Sequence, residues 1–156
     1  MKKKKLFRSV ILSVILCLIL SGCRHTDPVP DPDEIIFVLS LDSDDDIYVI
    51  AVEYWADEVF CGGMAASHAD GSVYKSNEQS YFVFDPECFP NGEIPGAIRV
   101  SVMLSDSLKY MSIQDLADRT GFSDPCDLAS IPAVPGSVVH VTVKGSFTDG
   151  FSAELS

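Results

Sequence analysis

Alternating apolar and polar positions divide residues 35–156 into short strands. Ile35–Leu41 places Ile35, Phe37, Leu39 and Leu41 on one face and Ile36, Val38 and Ser40 on the other. Both faces are largely apolar, which predicts a strand covered on both sides. Asp42–Asp46 predicts a turn, and Ile47–Trp55, rich in β-branched and aromatic residues, a second strand. The short connection between them reads as a hairpin. Ala56–Gly71 reads as irregular, with Gly62-Gly63 and Asp70-Gly71 as punctuation. Ser72–Lys75 and Ser80–Phe84 predict strands, and Asp85–Gly96, with Pro86, Pro90 and Pro95, a loop. In Ala97–Leu104, Ile98, Val100, Val102 and Leu104 point inward, with Arg99, Ser101 and Met103 outward.

Ser112–Thr120 is the one helix candidate. Ser112 can cap it, Ile113, Leu116, Ala117 and Thr120 follow helical spacing, and Gly121 supplies a stop. Asp115 and Arg119 stand four residues apart. Phe122–Gly136 reads as a proline-punctuated loop. Ser137–Lys144 alternates with Val139, Val141 and Val143 inward, and a last strand lies around Phe151–Leu155. Its turn is either Gly145-Ser146 or Asp149-Gly150 with Gly145 as a bulge. Short strands, one short helix and frequent turn signals predict a mainly β domain, an antiparallel immunoglobulin-like β-sandwich, with a small β-barrel as the alternative. The absence of β-α-β alternation argues against a parallel sheet.

Residues 1–23 have a different pattern. Lys2–Lys5 and Arg8 form a positive head, and the apolar run Val10–Leu20, broken by Ser13, is too short for a spanning helix of ~20 residues. Leu20-Ser21-Gly22-Cys23 follows. This segment resembles the signal peptide and lipobox of bacterial lipoproteins. The resemblance implies cleavage before Cys23, a lipid on the Cys23 sulfur, and a location in the cell envelope, lipid-anchored, at the outer membrane of a Gram-negative bacterium. Whether the domain would face the periplasm or the surface stays open. The expected organisation is a signal over 1–22, a lipidated cysteine and tether over 23–34, and one domain over 35–156. Pro28, Pro30 and Pro32 favour an extended tether of ~3.1 Å per residue.

Charge narrows the partners. Five of the 11 basic residues lie in the signal, leaving six against 23 acidic ones, a formal charge of −17 beyond it. Such a domain repels nucleic acid and anionic lipid headgroups, while a protein or glycan partner stays open.

Candidate chemistry is sparse. Asp42, Asp44 and Asp46 are the sharpest local feature, because clustered carboxylates suit calcium. Ile47 stands where an EF-hand loop needs glycine, so a solvated turn is the competing reading. His68 with Asp70 could join a zinc site, but no serine motif completes a catalytic triad. Tyr48, Tyr54, Trp55, Tyr74 and Tyr81 could stack on a sugar if they share an exposed face, against the default of core packing. Beyond Cys23 the cysteines are Cys61, Cys88 and Cys126, with no CxxC. Counting strands alternately up and down puts Cys61 and Cys88 at one end and predicts a disulfide between them, with Cys88–Cys126 competing. The function expected is a non-catalytic binding or structural module without a cofactor, or calcium at most. The alternatives are a small metal-assisted envelope enzyme and a calcium-binding surface domain.

Overall fold

The computed structural model describes residues 27–110 and 112–156; the expected signal, the expected lipobox Leu20–Cys23 and the first residues of the expected tether lie outside them. Among the described residues eight strands form: β1 Ile35–Asp42, β2 Val49–Ala56, β3 Val59–Ala66, β4 Gln79–Phe84, β5 Ala97–Ser105, β6 Cys126–Pro132, β7 Ser137–Ser146 and β8 Gly150–Leu155. A 3-10 turn, Pro86–Cys88, follows β4, and a helix, α1 Ile113–Asp118, separates β5 from β6. The strands make two sheets, ordered β4-β1-β7-β8 and β3-β2-β5-β6. They face each other as a sandwich and do not close into a barrel. Contacts between β6 and β8, and between Tyr54 of β2 and Phe84 of β4, fix the stacking: β4 lies on the β3 side and β8 on the β6 side.

The inward positions read from the sequence hold the core. Ile35, Phe37, Leu39 and Leu41 of β1 meet Ile50, Val52 and Tyr54 of β2 and Ile98, Val100, Val102 and Leu104 of β5. Ile36 and Val38, on the other face of β1, are buried as well. All strand pairs are antiparallel except β1 with β7, which run parallel from Ile35↔Ser137 to Asp42↔Lys144. No β-α-β crossover is needed, because the chain reaches β7 only after passing through the second sheet.

Several expectations change. The Asp42–Asp46 connection is a crossover between sheets and not a hairpin, since β1 and β2 belong to different sheets. Two strands emerge from segments that read as irregular or loop, β3 within Ala56–Gly71 and β6 within Phe122–Gly136. Ser72–Lys75 forms no strand; only Tyr74 bridges to Ile47. The last turn lies at 147–149, and Gly145 stays in the ladder opposite Phe151.

The helix is shorter than its sequence pattern. Ser112 caps it in a capping box with Asp115, and Arg119 ends it in the left-handed region at φ 54°. Residues 106–110 and 112–125 cover the outer face of the second sheet, held by Ser105 Oγ donating to the Gly121 carbonyl at 2.8 Å and Ser123 N–H donating to the Leu104 carbonyl at 2.8 Å. Beneath the helix lies Glu53, 5 % exposed, and Arg119 Nη2 reaches its Oε2 at 2.7 Å. Arg119 therefore serves the sheet and not Asp115. Arg119→Ala should leave a buried carboxylate without its partner and cost about 2 kcal/mol, below the ~3–5 typical of enclosed pairs because Arg119 is half open to water. Urea unfolding checks this, and in a Glu53→Leu background the same substitution should cost little.

Candidate functional site

At the end of the sandwich where β2 stops and β3 starts, the chain turns through Asp57 and Glu58, both with positive φ (48° and 64°). This is the twist that a two-residue hairpin requires. Three residues on, the ladder slips. Tyr54 pairs with Gly62 and Trp55 with Phe60, so Cys61 is the extra residue of a β-bulge. The bulge turns Cys61 toward the core edge, where it packs against the core cluster, as Ala56, Met64 and Cys88 also do.

Tyr54 organises this end. Its ring stands edge-on to Phe84 at 5.0 Å and Phe89 at 5.8 Å, and Phe84 in turn meets Phe37 at 4.9 Å. Its hydroxyl donates to the Cys88 carbonyl at 3.2 Å, tying β2 to the 3-10 turn. Gly62 lets the ring lie there, because a Cβ at that position would come within 2.8 Å of the hydroxyl oxygen. Asp85 completes the turn by accepting from Cys88 N–H at 3.1 Å.

Beside Tyr54 opens a groove of about 380 Å³. Ala56, Val59 and Cys61 form one wall, and Phe89, Ile94 and Pro95 the other, with Asp57 and Glu93 on the rim. Val59 and Phe60 are 56 % and 55 % exposed. They sit on β3, an edge strand without a charged residue or proline, whose outer main-chain groups have no neighbouring strand among the described residues. An edge of this kind is a template for an added strand.

The other predicted residues are dispersed. No group of three or more His, Cys, Asp or Glu side chains set to hold a metal ion forms among the described residues. Near Asp42, Asp44 and Asp46, the Asp45 carboxylate accepts from Phe147 N–H at 2.6 Å, which joins the β1–β2 crossover to the β7–β8 turn. His68 does not gather metal ligands. Its Nδ1 meets Ser72 Oγ at 2.8 Å, its Nε2 meets Glu78 Oε1 at 3.0 Å, and its ring lies 4.3 Å from that of Tyr74. The Ser72–His68–Glu78 chain escaped sequence reading because it follows no nucleophile motif. Asp70 accepts from Ser72 N–H at 3.0 Å, a bond that lowers its pKa. The chain closes the loop between β3 and β4.

The aromatic residues do not share one exposed face. Tyr54 and Tyr74 are buried, Tyr81 lies on the other sheet, and Arg99 covers Trp55 with its guanidinium 4.1 Å from the ring centre. Cys61, Cys88 and Cys126 are free thiols in this structure. Cys61 lies inside β3, so the strand count that paired it with Cys88 started from the wrong strands.

Burial pushes the Tyr54 phenol up to about 12, and Cys88, Cys61 and Asp85 act in the same direction. The unfolded chain's tyrosine titrates near ~10, so the folded pKa is the higher one. The stability that the neutral phenol contributes is therefore fully present below pH ~10 and is lost as pH rises toward about 12. The expected loss is ~2–3 kcal/mol across that window. Tyr54→Phe should flatten this part of the stability–pH profile in urea titrations, and an unchanged slope would contradict the placement of the hydroxyl.

No protein-family model matches the chain, and no curated protein matches it. Among solved structures, the chain is similar to the human-specific toxin intermedilysin, with a TM-score of 0.35 and 14% identity. The match covers 79% of this chain and 23% of that one, so the chain spans about a quarter of the toxin. The intermedilysin bound to human CD59 gives a TM-score of 0.36 at 14% identity, covering 79% and 24%. The T6SS lipoprotein TssJ1 from Pseudomonas aeruginosa gives 0.34 at 6% identity, covering 81% of this chain and 98% of that one.

Proposed function

We propose that the chain is a lipid-anchored, non-catalytic binding module of the cell envelope. Its β3 edge and the groove beside Tyr54 take an extended, basic segment of a protein partner. The anchor rests on residues 1–23, where a positive head, a short apolar run and Leu20-Ser21-Gly22-Cys23 stand in the order of a lipoprotein signal. Two or more acyl chains at Cys23 would hold the domain without a spanning helix. Among the described residues, no helix is long and apolar enough to cross a membrane.

The binding role rests on one observation, the open edge of β3 with Val59 and Phe60 exposed beside the groove. Unpaired main-chain groups give affinity to an extended segment, and a groove beside them gives specificity. Asp57, Glu58 and Glu93 border this surface and Asp85 and Glu87 lie near it, so a segment with lysine or arginine is favoured over an acidic one. A calcium-binding role for Asp42, Asp44 and Asp46 is not favoured, because among the described residues no group of three or more His, Cys, Asp or Glu side chains is set to hold a metal ion.

The test has two arms in intact cells. Cys23→Ala should abolish incorporation of a fatty-acid analogue and leave an uncleaved precursor; equal labelling of both proteins would remove the anchor. A photo-crosslinking amino acid at Phe60 should yield one discrete adduct that is lost on Val59→Asp. The same probe at Tyr81, on the opposite sheet, should yield none. Equal adducts at both positions would contradict the β3 surface.

A further inference from the structure

We infer that Cys61 and Cys88 are the two halves of a disulfide that clamps the walls of the groove together, and that Cys126 stays a thiol. The inference rests on the topology of the sandwich and holds whether or not the groove binds a partner. β3 and β4 lie on the same side of the sandwich, in facing sheets. Cys61 stands near the start of β3, and Cys88 just after the end of β4. β4 runs antiparallel to β1, and β3 antiparallel to β2, so both cysteines fall at the end where the tether enters β1. The shared end read from the sequence thus survives, although the strands that produce it are different ones.

Local geometry brings the two still closer. Cys88 holds the Tyr54 hydroxyl with its carbonyl at 3.2 Å. Gly62, next to Cys61, lies against the same hydroxyl, with its Cβ position 2.8 Å away. The bulge turns Cys61 inward, and both cysteines pack against one core cluster. Cys61 belongs to the β3 wall of the groove, and Cys88 leads directly into Phe89 on the other wall.

Cys126 is excluded as a partner. It pairs with Val102 of β5 at the far end of β6. It is therefore three strands from Cys61 in its own sheet, at ~4.8 Å each, well beyond the ~7 Å Cα separation that a disulfide tolerates. β6 also lies on the opposite side of the sandwich from β4, which removes Cys88–Cys126.

The bond forms by thiol–disulfide exchange with an external disulfide, the kind of oxidant found outside the cytoplasm. The Cys61 thiolate attacks one sulfur of that disulfide, releasing one thiol and leaving a mixed disulfide on Cys61. The Cys88 thiolate then attacks the Cys61 sulfur and releases the second thiol. The two protein thiols lose two protons and two electrons, and the external disulfide is reduced to two thiols. Burial raises the pKa of the Cys88 thiol and so lowers its thiolate fraction, and in the second, intramolecular step proximity offsets that loss.

The test uses the full-length protein in detergent, oxidised with glutathione disulfide, denatured, alkylated and digested without reductant. The expected result is one linked peptide joining Cys61 to Cys88, with Cys126 alone among these three cysteines carrying the alkyl label. Oxidation should also raise Tm by about 10 °C, as closing a loop of this length predicts. Cys88→Ser should instead trap glutathione on Cys61, and Cys61→Ser should abolish the Tm rise. A link involving Cys126, or three alkylated thiols after oxidation, would overturn the pairing. So would a stable glutathione adduct on Cys61 in the unaltered protein.

Discussion

The fit of the Tyr54 ring between the sheets is the contact on which one side of this sandwich depends. The ring comes from β2, its aromatic neighbours Phe84 and Phe89 come from β4 and the loop beyond it, and its hydroxyl is fixed on Cys88. A buried phenol must keep a hydrogen-bond partner, since an unsatisfied hydroxyl costs ~1–3 kcal/mol. That requirement specifies where the 3-10 turn must stand. It also explains Gly62, because no larger residue leaves room for the oxygen. The bulge at Cys61 and the groove lie around this one placement.

The proposed function turns on which end carries these features. The segment before β1, proposed as the tether, reaches it through Glu34 at the same end as the groove. Near β7, Asp27 Oδ2 approaches His140 Nε2 at 3.5 Å and Gly136 N–H donates to the Glu34 carbonyl at 2.7 Å, so the described part of the tether lies against the first sheet. A domain held through Cys23 would carry the groove on the side from which it is tethered. The crossover with its aspartates and the 147–149 turn would stand at the opposite end. Acidic side chains at both ends keep such a domain from settling on an anionic surface.

Strands with regular alternation were legible from the sequence, together with their buried faces. β1, β5 and β7 needed only their own periodicity, and the Ser112–Asp115 capping box needed only its spacing. β3 was not legible, because its glycines answer to residues distant in sequence. Gly62 makes room for Tyr54, and a Cβ on Gly63 would come within 3.3 Å of Leu116 on the helix. Its hairpin turn was hidden too, since Asp57 and Glu58 adopt positive φ without a glycine to announce it. β6 was masked by Pro125 and Pro132, which an edge strand tolerates at its ends. Connection length alone could not distinguish a hairpin from a crossover after β1. Counting strands toward the cysteines goes astray because Ser72–Lys75 forms no strand and β3 is hidden. The groove could not be read at all, because its two walls meet only in the folded chain.

The most direct test of Tyr54 as the organising contact is amide hydrogen exchange on Gly62→Ala. The added methyl would meet a ring that cannot retreat from Phe84 and Phe89. Protection should therefore fall in β3 and around Cys88 and Phe89, while β5 and β7 keep theirs apart from a small global loss. An exchange pattern identical to that of the unaltered protein, or a loss spread evenly over all eight strands, would contradict the account.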